Sequence, residues 1–116
     1  MKAVLREKQR YIGVLVFADR PDRTLIQNAI QKELVHILGQ LTFARADPKL
    51  VYLSHDSRSA VIRCTTQEVD NVRAGLSLVT HIDHDKPIHL MPIFTSGTIL
   101  KCKRACAKAE KSLGTD

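Results

Sequence analysis

Three features of the 116-residue sequence predict an α+β sandwich. Residues 11–18 form an apolar run interrupted only by Gly13, two amphipathic helical repeats alternate with strand patterns, and a proline, Pro92, falls inside the last strand. The resulting order is β-α-β-β-α-β followed by an extra C-terminal helix. Two right-handed βαβ crossovers interleaved in this way give a ferredoxin-like arrangement, a four-stranded antiparallel sheet with two helices on one face. That connectivity places the fourth strand at an edge, where a residue without an N–H breaks no ladder bond. A chain of this length supports one modest core, so residues 1–116 are expected to form one domain.

Each element has its own signal. After the first strand, the turn Asp19-Arg20-Pro21-Asp22 leads to a helix over residues 24–38, with Ile26, Ile30, Leu34 and Ile37 at helical spacing and Gly39 placed to end it. Residues 40–49, which include Pro48, read as a long loop. Strands at residues 50–55 and 60–65 are joined by the polar turn Asp56-Ser57-Arg58-Ser59. Thr65 and Glu68 have the spacing of a capping box, which opens a second helix with Val69, Val72, Leu76 and Val79 on one face, ending near Ile82. A turn at residues 84–86 precedes the fourth strand, residues 88–95. Ser96-Gly97-Thr98 then starts a third helix, running to about Leu113.

The net charge of +6 is unevenly distributed. Residues 1–10 carry +3 and residues 98–116 another +3, while nine basic and nine acidic side chains balance in between. A basic N-terminal arm (1–9) and a basic C-terminal helix (98–113) therefore flank a neutral body, a distribution suited to a polyanion such as nucleic acid or an anionic membrane surface. No run approaches the roughly 20 apolar residues of a membrane helix, and the charged N-terminus lacks a secretory pattern, so a cytoplasmic location is expected. Three cysteines, Cys64, Cys102 and Cys106, are an odd number and read as free buried thiols.

In the third helix, Ile99, Cys102, Cys106, Ala109 and Leu113 form an apolar stripe, and Lys101, Arg104, Lys108 and Lys111 occupy a separate side. One face can pack while the other meets phosphate. Ser96-Gly97-Thr98 offers either an anion site at the helix N-terminus or an ordinary cap. The first strand is apolar on both faces, which implies that the second sheet face is at least partly covered, by the third helix or by another protein. The third strand has no aromatic residue, so the base-stacking platform of an RNA-recognition motif is missing there. Ser54, His55 and Asp56 are consecutive and point to alternate faces, which excludes a hydrolase relay. His81, His84 and His89, with Asp83 and Asp85, read as a polar connection rather than a metal site. Arg45, Arg63 and Arg73 lie outside the basic ends, and Arg63, in mid-strand, needs solvent or a partner.

Several segments in order carry a resemblance. Arg10-Tyr11-Ile12 opens the first strand, Ala60-Val61-Ile62-Arg63-Cys64 forms the third, and Val72-Arg73-Ala74-Gly75-Leu76 with Leu78-Val79-Thr80 lies in the second helix. Ser96-Gly97-Thr98-Ile99 precedes the basic helix. Together, from about Arg6 to Lys111, the chain resembles the ribonuclease P protein component 2 family, shared with ribonuclease MRP, and is similar in length to its archaeal members. Gly75 stands where many members carry alanine.

The resemblance implies an RNA-recognition-motif-like sandwich that serves as a non-catalytic subunit of an RNA-based endonuclease, which removes the 5′ leader of precursor tRNA. Under it the RNA, with its magnesium, performs the hydrolysis. The protein binds no cofactor or metal itself, and works with ribonuclease P protein component 3, with which it can form a two-plus-two heterotetramer, and with other ribonuclease P subunits. The candidate RNA contacts are Lys8, Arg10, Arg63, Arg73, Ser96, Gly97, Thr98, Lys101, Lys103, Arg104, Lys108 and Lys111. A ferredoxin-like regulatory domain that binds a small metabolite and a stand-alone nuclease remain as alternatives.

Overall fold

The computed structural model describes residues 8–19, 22–82 and 86–113. Most of the N-terminal arm, together with Arg20, Pro21, Asp83, His84, Asp85 and residues 114–116, lies outside them. The elements are β1 (Gln9–Ala18), α1 (Arg23–Leu38), α2 (Gln40–Ala46), β2 (Lys49–Leu53), β3 (Ser59–Thr65), α3 (Val69–Ser77), β4 (His81–Ile82), β5 (Lys86–Ser96) and α4 (Ile99–Leu113). The sheet is antiparallel throughout, in the order β2-β3-β1-β5-β4. Without the two-residue β4 this is the expected four-stranded ferredoxin-like sheet.

Side chains alternate across β1, so Ile12, Val14 and Val16 face α1 and α3 and join Ile26, Ile30, Leu34, Ile62, Val72, Leu76 and Leu90 in the main core. Asp22 caps α1, accepting the Leu25 N–H at 2.8 Å, and Gly39 closes it at φ 84. Helices α1 and α3 approach closely because Gly75 has no side chain: a Cβ there would stand 2.8 Å from Leu34 Cδ2. Pro92 lies at the sheet edge, since β4 pairs only with Lys86 and Pro87 of β5. Beside the proline the β1–β5 register shifts, with Gly13 opposite Phe94 and Val14 opposite Pro92.

Three expectations are corrected. Residues 40–49 are not a loop: α2 occupies Gln40–Ala46, because Phe43 and Ala46 pack inward on the core. Asp47 ends that helix in the left-handed region at φ 45, and Pro48 follows. The Thr65–Glu68 capping box does not form. The Thr65 hydroxyl donates to the Arg45 carbonyl at 3.0 Å, while Glu68 accepts from Asn71 and Arg45, and a short 3-10 turn, Thr66–Glu68, precedes α3. Those two hydrogen bonds, Asn71 first, hold the Glu68 carboxyl below its ordinary range. Finally, α3 stops at Ser77 rather than near Ile82. The chain leaves the helix so that Val79 enters the core and Thr80 accepts the Ile88 N–H at 3.1 Å, which starts the β4–β5 pairing.

The second sheet face is partly covered by α4, as the apolar character of β1 required. Gly13 makes this contact possible, since a Cβ there would lie 3.0 Å from Cys106 Sγ and 3.4 Å from the Cys102 carbonyl oxygen. The Cys102 thiol donates to the Tyr11 carbonyl at 3.1 Å, and Cys106 Sγ lies between the carbonyls of Val14 and Ala60, at 4.0 and 3.9 Å. Further along, the Ser59 hydroxyl donates to Glu110 at 2.6 Å. All three cysteines are free and buried, Cys64 on the main-core side. Ile99 and Ala109 are half-buried, whereas Leu113, expected on the packed stripe, is 52% exposed because the helix runs past the covered part of the sheet.

Adding a methyl group at Gly13 should force α4 off its seat. Gly13→Ala is expected to cost about 1–3 kcal/mol, measured by urea unfolding, with the loss of hydrogen-exchange protection concentrated in α4. Stability should also depend on alkaline pH. Burial pushes the Cys64 and Cys106 thiols up to about 11, above the roughly 9 of an unfolded thiol. Their contribution is therefore complete below pH 9 and is lost as pH rises towards 11. Urea midpoints should fall over that window, and less steeply in a Cys64→Ala/Cys106→Ala variant.

Candidate nucleic-acid interface

Seating Cys102 and Cys106 on the sheet fixes the rotation of α4. At about 100° per residue, Lys101, Arg104, Lys108 and Lys111 then lie on the side opposite the packed thiols, and all four are exposed. Glu110, the acid within the strip, is turned towards the sheet by its bond to Ser59. The helix thus presents a solvent-facing cationic surface whose orientation is set by its apolar side.

At its N-terminus, α4 meets a second group of basic residues. One row crosses four strands on this face, with Lys49 opposite Arg63, Arg63 opposite Tyr11, and Tyr11 opposite Ser96. Arg63 is half-buried in that row. Arg10 Nη1 donates to the Gln9 carbonyl at 3.2 Å and packs over Gly97, 3.7 Å from where a Cβ would stand. Lys103 reaches across to β2, its Nζ 4.4 Å from the Tyr52 ring centroid, a cation–π contact. Lys8 is exposed, and its carbonyl accepts the Thr66 N–H at 3.0 Å.

Ser96-Gly97-Thr98 acts as a helix cap. Ser96 Oγ accepts the Thr98 N–H at 3.2 Å and Thr98 Oγ1 accepts the Lys101 N–H at 3.4 Å. Arg73 is not brought to this surface. It projects from α3, on the far side of the sheet, and donates to the Thr95 hydroxyl. Of the other residues weighed from sequence, Arg45 pairs with Glu68 at 3.3 Å. Ser54 and Asp56 close the β2–β3 turn, with Ser54 Oγ bonded to Asp56 at 2.9 Å and accepting from the Arg58 and Ser59 amides, while His55 is exposed. Those bonds, Ser54 first, lower the Asp56 carboxyl below its ordinary range. Among the described residues no group of three or more His, Cys, Asp or Glu is placed to hold a metal ion. A cleft of about 370 Å³ lies along α1, with Lys32, Glu33 and His81 as its ionisable residues, on the side of the sheet away from α4.

Lys49 and Tyr52 were not singled out in the sequence. Only the β2–β3 register places them beside Arg63 and Lys103, and no periodicity within β2 reveals it.

The chain matches the model of the Rpp14/Pop5 family over residues 10–107. It is 35% identical over 101 residues to ribonuclease P protein component 2 of Thermococcus gammatolerans, covering 86% of this chain and 83% of the relative. The same protein of Methanocaldococcus jannaschii is 34% identical over 100 residues, covering 85% and 72%, and that of Pyrococcus furiosus is 34% identical over 101 residues, covering 86% and 83%. In structure, the chain is similar to one in the cryo-EM structure of yeast ribonuclease MRP, with a TM-score of 0.51, 17% identity and coverage of 97% and 98%, a likeness of fold. With the family model spanning nearly the whole sheet and most of α4, and relatives above 30% identity aligned over most of both chains, the chain belongs to the Rpp14/Pop5 family of ribonuclease P protein subunits.

Proposed function

We propose that this protein is a non-catalytic subunit of ribonuclease P that binds the catalytic RNA and supports removal of the 5′ leader of precursor tRNA. The observation that carries the reading is the cationic face of α4, held outward by the thiol seat of the same helix. Four cations on one helix face repel one another and are relieved by phosphate, which releases condensed counterions and lets RNA segments approach. Arg10, Arg63, Lys49 and Lys103 extend this surface past the helix N-terminus. Arg73 makes a structural bond to β5 and is withdrawn from the proposed contact set, and Ser96 and Thr98 serve by capping the helix.

Under this proposal the phosphodiester chemistry belongs to the RNA and its magnesium, and the chain works beside component 3 and other ribonuclease P subunits in the cytoplasm. The metabolite-binding alternative would use the cleft along α1 and be indifferent to α4.

Alanine at Lys101, Arg104, Lys108 and Lys111 should leave the fold intact, since exposed surface changes usually fall within about 0.5 kcal/mol each. RNA affinity should fall, and the dependence of log K on log salt should flatten by about 3. In reconstituted precursor-tRNA cleavage with the cognate RNA and component 3, the variant should need more magnesium. Unchanged affinity and salt slope would remove α4 from the interface, and cleavage indifferent to the presence of this chain would sink the proposal.

A further inference from the structure

Helix α4 does not follow β1 along its length but drifts across the sheet. Cys102 lies over Tyr11 of β1, Cys106 between Val14 of β1 and Ala60 of β3, and Glu110 at Ser59 of β3. Leu15 is still covered, at 2% exposed, but the β5 side chains along the far half of the β1–β5 pair and the end of β1 at Phe17 are left open on the same face. Its side chains follow from register: Phe94 opposite Gly13, Met91 opposite Leu15 and His89 opposite Phe17. Phe17 is 42% exposed, Phe94 38% and Met91 36%. The Phe17 and His89 rings stack, with centroids 5.9 Å apart and planes 28° apart.

This shelf runs beside the basic helix. The contacts of Cys102, Glu110 and Lys103, taken in order round α4, turn from β1 through β3 to β2. The opposite rotation brings Ala105 and Ala109 to the β5 side, with Lys101 and Lys108 above them. An aromatic floor with a lysine rim is thus built into one face. Past Ile88 the outer edge of β5 is unpaired among the described strands, so main-chain donors and acceptors border the floor. Asp19 lies beyond the end of β1.

We infer that this shelf holds unpaired nucleotides of an RNA strand, with bases stacked on Phe17, His89 and Phe94 and the backbone along Lys101 and Lys108. The inference rests on the RNA-binding reading of α4 and adds the class of RNA it meets. Aromatic faces beside a cationic track are the physical basis of single-strand binding, because every base has a π-face while a duplex hides its own. A protein could also use the aromatic and methionine floor, but the cationic track along one side of it is complementary to a phosphate backbone, which favours RNA. The β1–β3 platform, missing in the sequence, is replaced by one displaced to β1–β5.

The test measures binding of the full chain to an eight-nucleotide single-stranded RNA and to an RNA duplex with the same number of phosphates, each across a salt series. Phe17→Leu keeps the apolar area but not the ring, and Phe94→Ala removes the second face. Each should weaken single-strand binding roughly tenfold with an unchanged salt slope and unchanged duplex affinity, and Phe17→Tyr should restore it. If these variants bind the single strand as tightly as the parent while the α4 alanine variant does not, the shelf assignment fails and the helix reading stands. No RNA binding by the parent at any salt overturns both. Loss of component 3 affinity with RNA binding intact would make the shelf a protein surface and overturn it equally.

Discussion

The absence of a side chain at Gly13 is the constraint on which this structure's surface chemistry depends. A two-sided apolar strand in a sheet with helices on one face alone leaves half its side chains to water, and the chain resolves this by laying its last helix over the second face. Only small groups fit between that helix and the strand backbone. Cys102 and Cys106 suit the space because a thiol is compact, apolar and still able to donate weakly to a carbonyl. A leucine at either position would lift the helix off Gly13 and change its rotation.

That rotation converts a packing solution into an electrostatic one. Lys101, Arg104, Lys108 and Lys111 face solvent because the thiols face inward, with no separate device needed to orient them. Glu110, the acid that would partly neutralise the strip, is drawn to Ser59. The neutral body follows the same logic. Arg45 and Glu68 pair, and Asp22 and Asp56 spend their charge on capping and turn bonds.

Much of the fold was legible in the sequence because its signals are local. The period of Ile26, Ile30 and Leu34, the ending glycine at residue 39, the proline of an edge strand and the two-faced C-terminal helix each act within a few residues, and each is found as read. The failures share a cause. The segment containing α2 looked like a loop because its helical character depends on Phe43 and Ala46 finding a core made by distant strands. Helix α3 ends early because Val79 and Thr80 have better partners outside it, and the Thr65 hydroxyl prefers a carbonyl 20 residues away to its own helix.

The candidate site divides along the same line. The strip on α4 repeats with the helix and is visible in one dimension, whereas Arg73, which looks like its companions in sequence, lies across the sheet from them. The aromatic shelf is the converse case. Phe17 lies more than 70 residues from His89 and Phe94 and the three show no pattern, because their common face is created by an antiparallel register with a shift at Gly13. The two surfaces also act through different physics. Charge on α4 draws any polyanion and weakens with salt, while stacking is short-ranged, insensitive to salt and available only to unpaired bases. Under the proposed function, a subunit holding both on one face would gather RNA by charge and sort it by strandedness, and the glycine on which α4 seats links the two, because Gly13 also lies opposite Phe94 of the shelf.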